Sequence, residues 1–590
     1  MRKEEISSFL ERLKEEVQRS AAELSRERMP ELPMELFGLY EKTGDRKEYD
    51  GVYLTRRKYL AVFGLSALMH KSEEGSVPLR DVEILSGIME EICREECWAV
   101  PAHVDRLRQD WRITADLFAC ETAQTLAELS DRLSKELPGA VRSMVRENIE
   151  RRIFRPFFSQ ETPSFWWEVC DTNWNAVCAG CIGSACLHLL REEKERLAGC
   201  VNRIVRALVH YIDGFSGDGA CLEGPGYYTY GMTYFVNFAQ ELYEYSGGER
   251  NLFSGKWEPG VLEEERARKL RRMAEFLGKC FFRDGRMIRF SDDSSEDTFR
   301  LGLHCVMAAQ YPGLPFPPVM RAAGLHTDFC YRFAALKMDL LETRRYLELP
   351  IREASISHEE SQSFRIFPKA QWCVGNAASG IGFACKGGHN GEPHNHNDIG
   401  HFIYERDGVL LLTDLGAGEY TKEYFGENRY SILCNSSFGH SVPVIDGLGQ
   451  CAGKEHGCRQ FRADPTGRVE MELCDAYPRG MLSSFRRCFH FDLRTGHLEV
   501  EDFFRFCTRV GAVAEEILVT QIEPVITPEG ILLGRGETRC IVIPKGACAE
   551  QIHVEERIHR SHRRENEKVY LIRWRAKTEG QTARGGFRVC

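Results

Sequence analysis

The sequence lacks the segments that would hold a chain in a membrane or send it out of the cell. No stretch approaches the roughly 18 uninterrupted apolar residues of a membrane-spanning helix. The start, MRKEEISSFLERLKEEVQRS, reads as a charged amphipathic helix, without the apolar run and small-residue cleavage site of an export signal. We therefore expect a cytoplasmic protein with no membrane partner.

Long blocks of one charge and low-complexity tracts are also missing. Lys and Arg total 78 and Asp and Glu total 88, so the formal net charge is 78 − 88 = −10, with both signs mixed along the chain. This balance argues against a nucleic-acid partner, although an anionic sugar would need a locally basic cleft. Hydrophobic residues make up 43% of the chain, which excludes a disordered protein.

Cysteine content and chain length indicate the cellular compartment and the number of domains. The 23 cysteines are an odd number in a large chain, which fits free thiols in a reducing compartment better than a disulfide scaffold. A chain of 590 residues exceeds what one hydrophobic core usually supports. We therefore expect at least two domains.

The first part of the chain, residues 1–345, has helical periodicity. Apolar residues recur at helical spacing, as in Leu187, Leu190, Leu197 and Ile204. Glycine- and proline-containing breaks fall at intervals of one or two helices, which indicates stacked helical hairpins. A helical toroid is one such architecture.

The last part, residues 363–590, has short strand-like runs bounded by Gly, Asn and Asp, such as GIGFACKGG and HLEVEDFFRF. Asp407 and Gly408 separate two such runs, which is the turn chemistry of a β-hairpin. We predict an α+β multidomain protein: a helical domain over 1–345, a linker over 346–362 and an antiparallel β-sandwich over 363–590.

The segment GGHNGEPHNHNDIGHF concentrates imidazoles in a Gly-Pro loop that leads into a strand. In an extended chain alternate residues share a face, so His394, His396 and Asp398 can converge. Zinc takes about four ligands, and His396, Asp414 and His440 with a water would satisfy it. The alternative is that these histidines bond to turns and backbone.

Aromatic and amide side chains cluster in FWWEVCDTNWNAVC, which includes Trp167, Asn173, Trp174 and Asn175. Sugar rings stack on indoles, and an Asn amide can bond a carboxylate without carrying charge. The alternative is that the tryptophans are core residues and an Asn caps a helix.

A second aromatic segment, EGPGYYTYGMTYF, begins as a loop and continues as a helix. Its spacing puts Tyr227, Tyr230 and Tyr234 on one helical face. Such a stripe is more often part of a core than of a catalytic site. Its position after a Gly-rich loop favours a functional role.

Together NWNAVC, EGPGYYTYG, HNHND, LLTDLGAGEY and SSFGHSVPVIDG resemble the heparinase II/III-like family of lyases, in order and in spacing. The resemblance runs from about residue 98 to about residue 450. It implies an (α/α) toroid followed by a β-sandwich, and the cleavage of uronate-containing poly- or oligosaccharides by β-elimination, with 4,5-unsaturated products.

The resemblance also implies roles for individual residues. Asn175 would contact the substrate carboxylate, with Asn173 as the alternative, Tyr230 would be the catalytic phenol and His394 the catalytic imidazole. His396, Asp414 and His440 would bind a structural Zn²⁺. Further expected substrate contacts are Trp167, Asn173, Trp174, Tyr227 and Arg429.

β-Elimination needs a group that neutralises the carboxylate, a base and an acid, and either Tyr230 or His394 could be the base. Two other functions stay open. A zinc-dependent carbohydrate hydrolase would use Glu392 or Asp398 as its base. A non-catalytic carbohydrate-binding protein would keep the cleft without turnover. The sequence is also compatible with a homodimer.

Overall fold

The structure is a computed structural model that describes residues 2–159, 165–258, 260–293, 297–350, 363–507, 512–536 and 538–590. The chain divides into two compact units. The first comprises Met1–Phe215, Tyr228–Ala274 and Thr298–Arg352, and the second comprises Ser216–Tyr227, Glu275–Asp297 and Glu353–Cys590.

Two segments of the predicted helical domain, 216–227 and 275–297, thus belong to the second unit. Most of the predicted linker, residues 351–362, lies outside the described residues. The domain limits drawn from the sequence stay a prediction.

Helices occupy the first part of the chain, as its periodicity predicted. Within the described ranges their bounds are α1 Arg2–Leu24, α2 Met34–Thr43, α3 Lys47–Glu74, α4 Leu79–Arg94, α5 Leu117–Arg132, α6 Gly139–Ile149, α7 Arg155–Ser159, α8 Asn173–Leu189, α9 Lys194–Gly214, α10 Pro225–Tyr245, α11 Glu264–Lys279, α12 Leu301–Gln310, α13 Phe333–Lys337 and α14 Thr343–Glu348. No described helix has the length and apolarity to cross a membrane.

Small residues let α8 lie in the middle of the helical unit. A Cβ at Gly180 would be 2.6 Å from the carbonyl oxygen of Tyr234 in α10, and one at Gly183 would be 2.5 Å from the Phe238 ring. Helices α5 and α9 also pack on α8. Only glycine permits this approach of α8 to α10.

Strands follow the helices in the chain. They are β1 Ser363–Phe367, β2 Trp372–Asn376, β3 Ile381–Lys386, β4 Phe402–Arg406, β5 Val409–Leu412, β6 Val444–Ile445, β7 Gln460–Ala463, β8 Arg468–Glu472, β9 Leu482–Phe491, β10 Leu498–Phe506, β11 Ala514–Thr520, β12 Val525–Thr527, β13 Gly530–Arg535, β14 Thr538–Pro544, β15 His553–Arg560, β16 Asn566–Arg575, β17 Lys577–Glu579 and β18 Thr582–Val589.

These strands form three antiparallel sheets. One sheet runs β1-β2-β3-β4-β5, a second runs β12-β13-β14-β18-β10-β9-β8-β7 with β17 beside β18, and a third runs β15-β16-β11-β6. Alternate residues of β9 are buried, so this strand turns Phe489 and Phe491 towards one side of its sheet. Buried apolar residues of all three sheets, such as Phe383, Phe489 and Trp574, form one core.

The β4–β5 hairpin forms at the predicted turn. Asp407 has φ 49° and Gly408 has φ 81°, the two positive values that a two-residue hairpin turn needs. The three residues from Phe402 to Tyr404 in β4 and the pair Leu411 and Leu412 in β5 are buried. The hairpin therefore carries the chain from the histidine-rich loop to Asp414.

We predict that Gly180→Ala destabilises the protein by about 1–3 kcal/mol, because the added methyl group meets backbone in α10. Denaturant unfolding would measure this change. The matched control is Gly87→Ala in α4, where an added Cβ meets nothing within 4 Å. That variant should be stabilised by up to about 1 kcal/mol through helix propensity. Equal stability of the two variants would contradict the close packing of α8.

Candidate functional site

The buried carboxylate of Asp292 connects the candidate catalytic groups of the second unit. Its Oδ1 accepts hydrogen bonds from His396 Nε2 at 2.9 Å and from the Tyr424 hydroxyl. Its Oδ2 accepts from His394 Nδ1 at 3.0 Å and from the Arg429 guanidinium at 2.9 Å. Burial would raise the pKa of Asp292, but the bonds from His394 and His396 hold it well below its usual range.

These contacts fix the tautomers of both histidines. An ionised carboxylate only accepts hydrogen bonds, so the nitrogen that faces Asp292 must carry the proton in each ring. In the neutral form the lone pair of His394 is then on Nε2, and that of His396 is on Nδ1. His394 is therefore prepared to accept a proton, and His396 to bind a cation.

His394 is held tightly but stays within reach of solvent. Its backbone has φ 56°, a left-handed conformation that stores roughly 1–3 kcal/mol in a non-glycine residue. Its ring stacks on Tyr227 with centroids 4.0 Å apart. The side chain is 21% exposed, and Nε2 lies 3.9 Å from Glu223 Oε2. The imidazole of His394 is therefore partly open to solvent.

Aromatic side chains line the neighbourhood of this imidazole. The Tyr227 hydroxyl is hydrogen-bonded to the Tyr420 hydroxyl at 2.7 Å, and burial raises the pKa of Tyr227, so the phenol is protonated at neutral pH. Phe425 packs on Tyr420 and Tyr424 and is 56% exposed. This arrangement offers a proton donor beside a flat apolar surface.

The structure brings the three predicted metal ligands together and adds Asp398. The four residues are at most 1% exposed, and one ligand atom from each lies within 4.8 Å of the others. His396 Nδ1 is 3.3 Å from His440 Nε2, which is 3.7 Å from Asp414 Oδ2. Ligands about 2.0 Å from a tetrahedral zinc lie roughly 3.3 Å apart, so the spacing fits that metal.

Hydrogen bonding also favours a cation at this cluster. His440 Nδ1 bonds to the Ser436 carbonyl oxygen at 2.8 Å, so in the neutral ring the lone pair of His440 is on Nε2. Two imidazole lone pairs then face each other, and Asp414 Oδ2 accepts no hydrogen bond from any described residue. These buried atoms could hold a metal ion.

A second group, Glu128, His188 and Glu241 in the helical unit, also has ligand-like spacing. The Lys337 ammonium lies 2.8 Å from Glu128 Oε1 and 3.2 Å from Glu241 Oε1. It also donates to Asn237 Oδ1 at 2.6 Å. A buried lysine therefore already supplies the positive charge there, and the group is an ion-pair network.

Asn175 and Asn173 begin α8 in the helical unit and are buried. Asn175 Nδ2 donates to the carbonyl oxygens of Trp167, Glu168 and Ala207 at 2.9–3.1 Å. Its two amide protons are thus taken by backbone. Contact with a substrate carboxylate, which the family resemblance implies, would require Asn175 to leave these partners.

The role of Trp167 as a substrate contact stays a prediction, and the structure buries its side chain in the helical unit. Trp167 is 1% exposed and donates from Nε1 to the Ala115 carbonyl oxygen at 3.2 Å. Its neighbour Trp166 is 61% exposed. Trp166 and the predicted Trp174 pack together, with ring centroids 4.9 Å apart, and border a cavity of about 440 Å³ that is also lined by His103.

Tyr230 lies in the helical unit and donates to Glu121 Oε1 at 2.6 Å. The Arg332 guanidinium lies 4.1 Å from its ring centroid. Burial and the Glu121 carboxylate nevertheless raise the pKa of Tyr230 well above its usual value. The phenol therefore keeps its proton, which suits an acid and not a base.

Arg429 uses its guanidinium within the second unit. Besides Asp292 it donates to the carbonyl oxygens of Asn395 and Tyr424, both at 3.1 Å. Its side chain is 13% exposed. Arg429 therefore neutralises Asp292 and holds the histidine loop, and a direct contact with substrate stays a prediction.

Sequence reasoning missed Asp292, Glu223, Tyr420 and Tyr424. Asp292 lies 102 residues before His394 in the chain, in an acidic run, SDDSSED, that reads as a solvated loop. The aromatic run EYTKEYF after Asp414 was the available signal for the tyrosines. No spacing rule links either segment to HNHND.

We predict that Asp292→Ala destabilises the protein by about 3 kcal/mol or more, because it leaves the Arg429 charge without its carboxylate partner. Thermal or denaturant unfolding would measure the loss. The control is Glu427→Ala, an exposed acid in the same loop as Arg429, which should change stability by less than about 0.5 kcal/mol. A similar small change for both variants would contradict the central role of Asp292.

No family model and no curated protein sequence matches this chain. Solved structures do match. Heparinase III aligns with a TM-score of 0.59 at 12% identity, over 90% of this chain and 76% of that one. A heparan sulfate lyase from Pedobacter heparinus aligns at 0.55 and 12% identity, over 90% and 75%.

A mutant chondroitin AC lyase from Streptomyces coelicolor A3 aligns with a TM-score of 0.52 at 10% identity, over 99% of this chain and 79% of that one. The likeness covers most of the chain, so it confirms the fold predicted from the sequence. The chain has the fold of these polysaccharide lyases: an α/α toroid followed by an antiparallel β-sandwich.

Proposed function

We propose that this protein is a lyase that cleaves uronate-containing poly- or oligosaccharides by β-elimination. The observation that carries the proposal is the partly exposed imidazole of His394, oriented by Asp292 and stacked on the protonated phenol of Tyr227. The fold supports it, since the similar structures bear the names of lyases of heparin, heparan sulfate and chondroitin.

The elimination removes the C5 proton of a uronate and expels the oxygen on C4. His394 Nε2 accepts the C5 proton, since Asp292 holds the other ring proton on Nδ1. The Asp292 carboxylate then stabilises the imidazolium by its charge. Nδ1 keeps its hydrogen bond to Asp292 while Nε2 accepts the proton. The His394 ring therefore does not need to rotate during the proton transfer.

Tyr227 donates the proton to the leaving C4 oxygen in this scheme. Its hydroxyl is protonated at neutral pH, and its ring lies directly against His394. The hydrogen bond to Tyr420 provides a route by which the phenol regains a proton. This assignment gives Tyr227 the role that the family resemblance implied for Tyr230.

The roles that the resemblance implied for the helical unit stay proposals. Asn175 would neutralise the substrate carboxylate if its amide exchanged a hydrogen bond to a backbone carbonyl oxygen for one to that carboxylate. Asn173 is the alternative residue for this role. Tyr230, the phenol that the resemblance implied, is the alternative to Tyr227 as the acid. Trp174 would stack on a sugar ring, together with the exposed Trp166.

His396, Asp414 and His440 would hold a zinc ion, and a bound zinc would order the loop that carries His394. The ligand side chains are too deeply buried for a sugar to reach. The proposed metal role is therefore structural. The partner is an acidic oligo- or polysaccharide, and cytoplasmic location, absence of nucleic-acid binding and a homodimer stay predictions.

The test is incubation with heparan sulfate, chondroitin, hyaluronan and alginate oligosaccharides while ultraviolet absorbance from a C4–C5 double bond is followed. We expect one class to give the signal, and His394→Ala to lower kcat by about 100-fold or more. His490→Ala, an exposed histidine of β9, is the matched control and should keep full activity. Absence of a signal with every substrate would refute the lyase proposal.

Comparison of two tyrosine variants tests which phenol is catalytic. Tyr227→Phe should lower kcat by about 100-fold or more with little change in KM, because only the proton donor is lost. Tyr230→Phe should have a smaller effect. The opposite order would assign the phenol role to Tyr230, and binding without turnover in the unaltered protein would favour a carbohydrate-binding function.

A zinc-dependent hydrolase is the second candidate, and the buried Glu392 favours it. Burial raises the pKa of Glu392 to about 7, a value suited to a general base. Sugar products without the double bond, together with loss of activity on chelation, would support the hydrolase in place of the lyase.

A further inference from the structure

Asp398 has the same two-sided arrangement as the three expected metal ligands. In each of those three, one polar atom faces the centre of the cluster and the other is held from outside. His396 bonds outward to Asp292, His440 to the Ser436 carbonyl oxygen, and Asp414 Oδ1 accepts from the Gly416 amide at 2.9 Å.

In Asp398 the outward atom is Oδ1, 2.9 Å from the Lys386 ammonium. The inward atom is Oδ2, 3.9 Å from His440 Nε2, and it accepts no hydrogen bond from the described part of the chain. Asp398 and Lys386 are both 0% exposed. A buried carboxylate oxygen without a hydrogen bond is costly unless a cation faces it.

Backbone hydrogen bonds hold the segment that carries Asp398 against β3. The Gly400 amide donates to the Lys386 carbonyl oxygen at 2.9 Å, and the Lys386 amide donates to the His401 carbonyl oxygen at 3.1 Å. The His401 amide in turn donates to the Asp398 carbonyl oxygen at 2.9 Å. The loop after Asp398 therefore folds back onto β3, with the carboxylate pinned between Lys386 and the cluster.

We propose that Asp398 is a fourth protein ligand of the metal, through Oδ2. The ion is then enclosed by His396, Asp398, Asp414 and His440, and has no position for water or substrate. Two carboxylates balance the charge of a divalent ion in a site that excludes solvent. Closed four-ligand shells are typical of structural zinc, whereas catalytic zinc keeps one position open.

Metal binding by the full chain tests this proposal. The protein is stripped with a chelator and titrated with Zn²⁺ or Co²⁺, and azide is then added to the Co²⁺ form. We expect one ion per chain and the strong visible absorption of four-coordinate Co²⁺, unchanged by azide because no ligand position is free.

Asp398→Ala should weaken Zn²⁺ binding by about 100-fold or more and make the Co²⁺ spectrum respond to azide, because the lost ligand opens a position. Asp398→Asn is the second variant if the alanine protein does not fold. The control is Lys386→Met, which removes only the outer partner of Asp398. It should weaken binding by about 10- to 100-fold and leave the spectrum insensitive to azide.

A response to azide in the unaltered protein would overturn the proposal, and that measurement needs no variant. Unchanged Zn²⁺ affinity in both Asp398 variants would also overturn it, as would failure of the unaltered chain to bind either ion. The proposal rests on the metal site and not on the lyase activity. Absence of double-bond formation would count against the proposed function alone.

Discussion

The candidate site depends on one buried carboxylate. Asp292 accepts hydrogen bonds from two imidazoles, a phenol and a guanidinium, and each of these groups has a different task around it. Because a carboxylate cannot donate, it orders the protons of all its partners at once. The position of one side chain thus sets which atom of His394 is basic and which atom of His396 can bind a metal.

This arrangement gives the histidine-rich loop one partly exposed imidazole and one buried imidazole. His394 bonds to one oxygen of Asp292 and keeps partial exposure, while His396 bonds to the other oxygen and is buried. A metal held by His396 would limit the motion of the loop two residues away. Chemistry and metal binding are then joined through Asp292 without a metal contact to the reacting sugar.

Burial favours one of the functions that the sequence left open, the proposed lyase. The cluster of imidazoles and carboxylates around His440 is closed to solvent, whereas His394 is partly open and rests on an aromatic ring. A zinc-dependent hydrolase would need a metal site that is open to solvent, with a metal-bound water at the surface. The exposed Phe425 beside His394 further suits the apolar face of a sugar ring.

Sequence patterns determined much of the fold, because periodicity and turn chemistry are local properties. The change from helices to antiparallel strands, the Asp407-Gly408 hairpin and the grouping of His396, Asp414 and His440 could all be read from spacing. Only the tertiary structure decided which of two adjacent tryptophans faces the core and which acid reaches the histidines. Both depend on how segments far apart in the chain pack against each other. The spacing of residues along the sequence does not determine this packing.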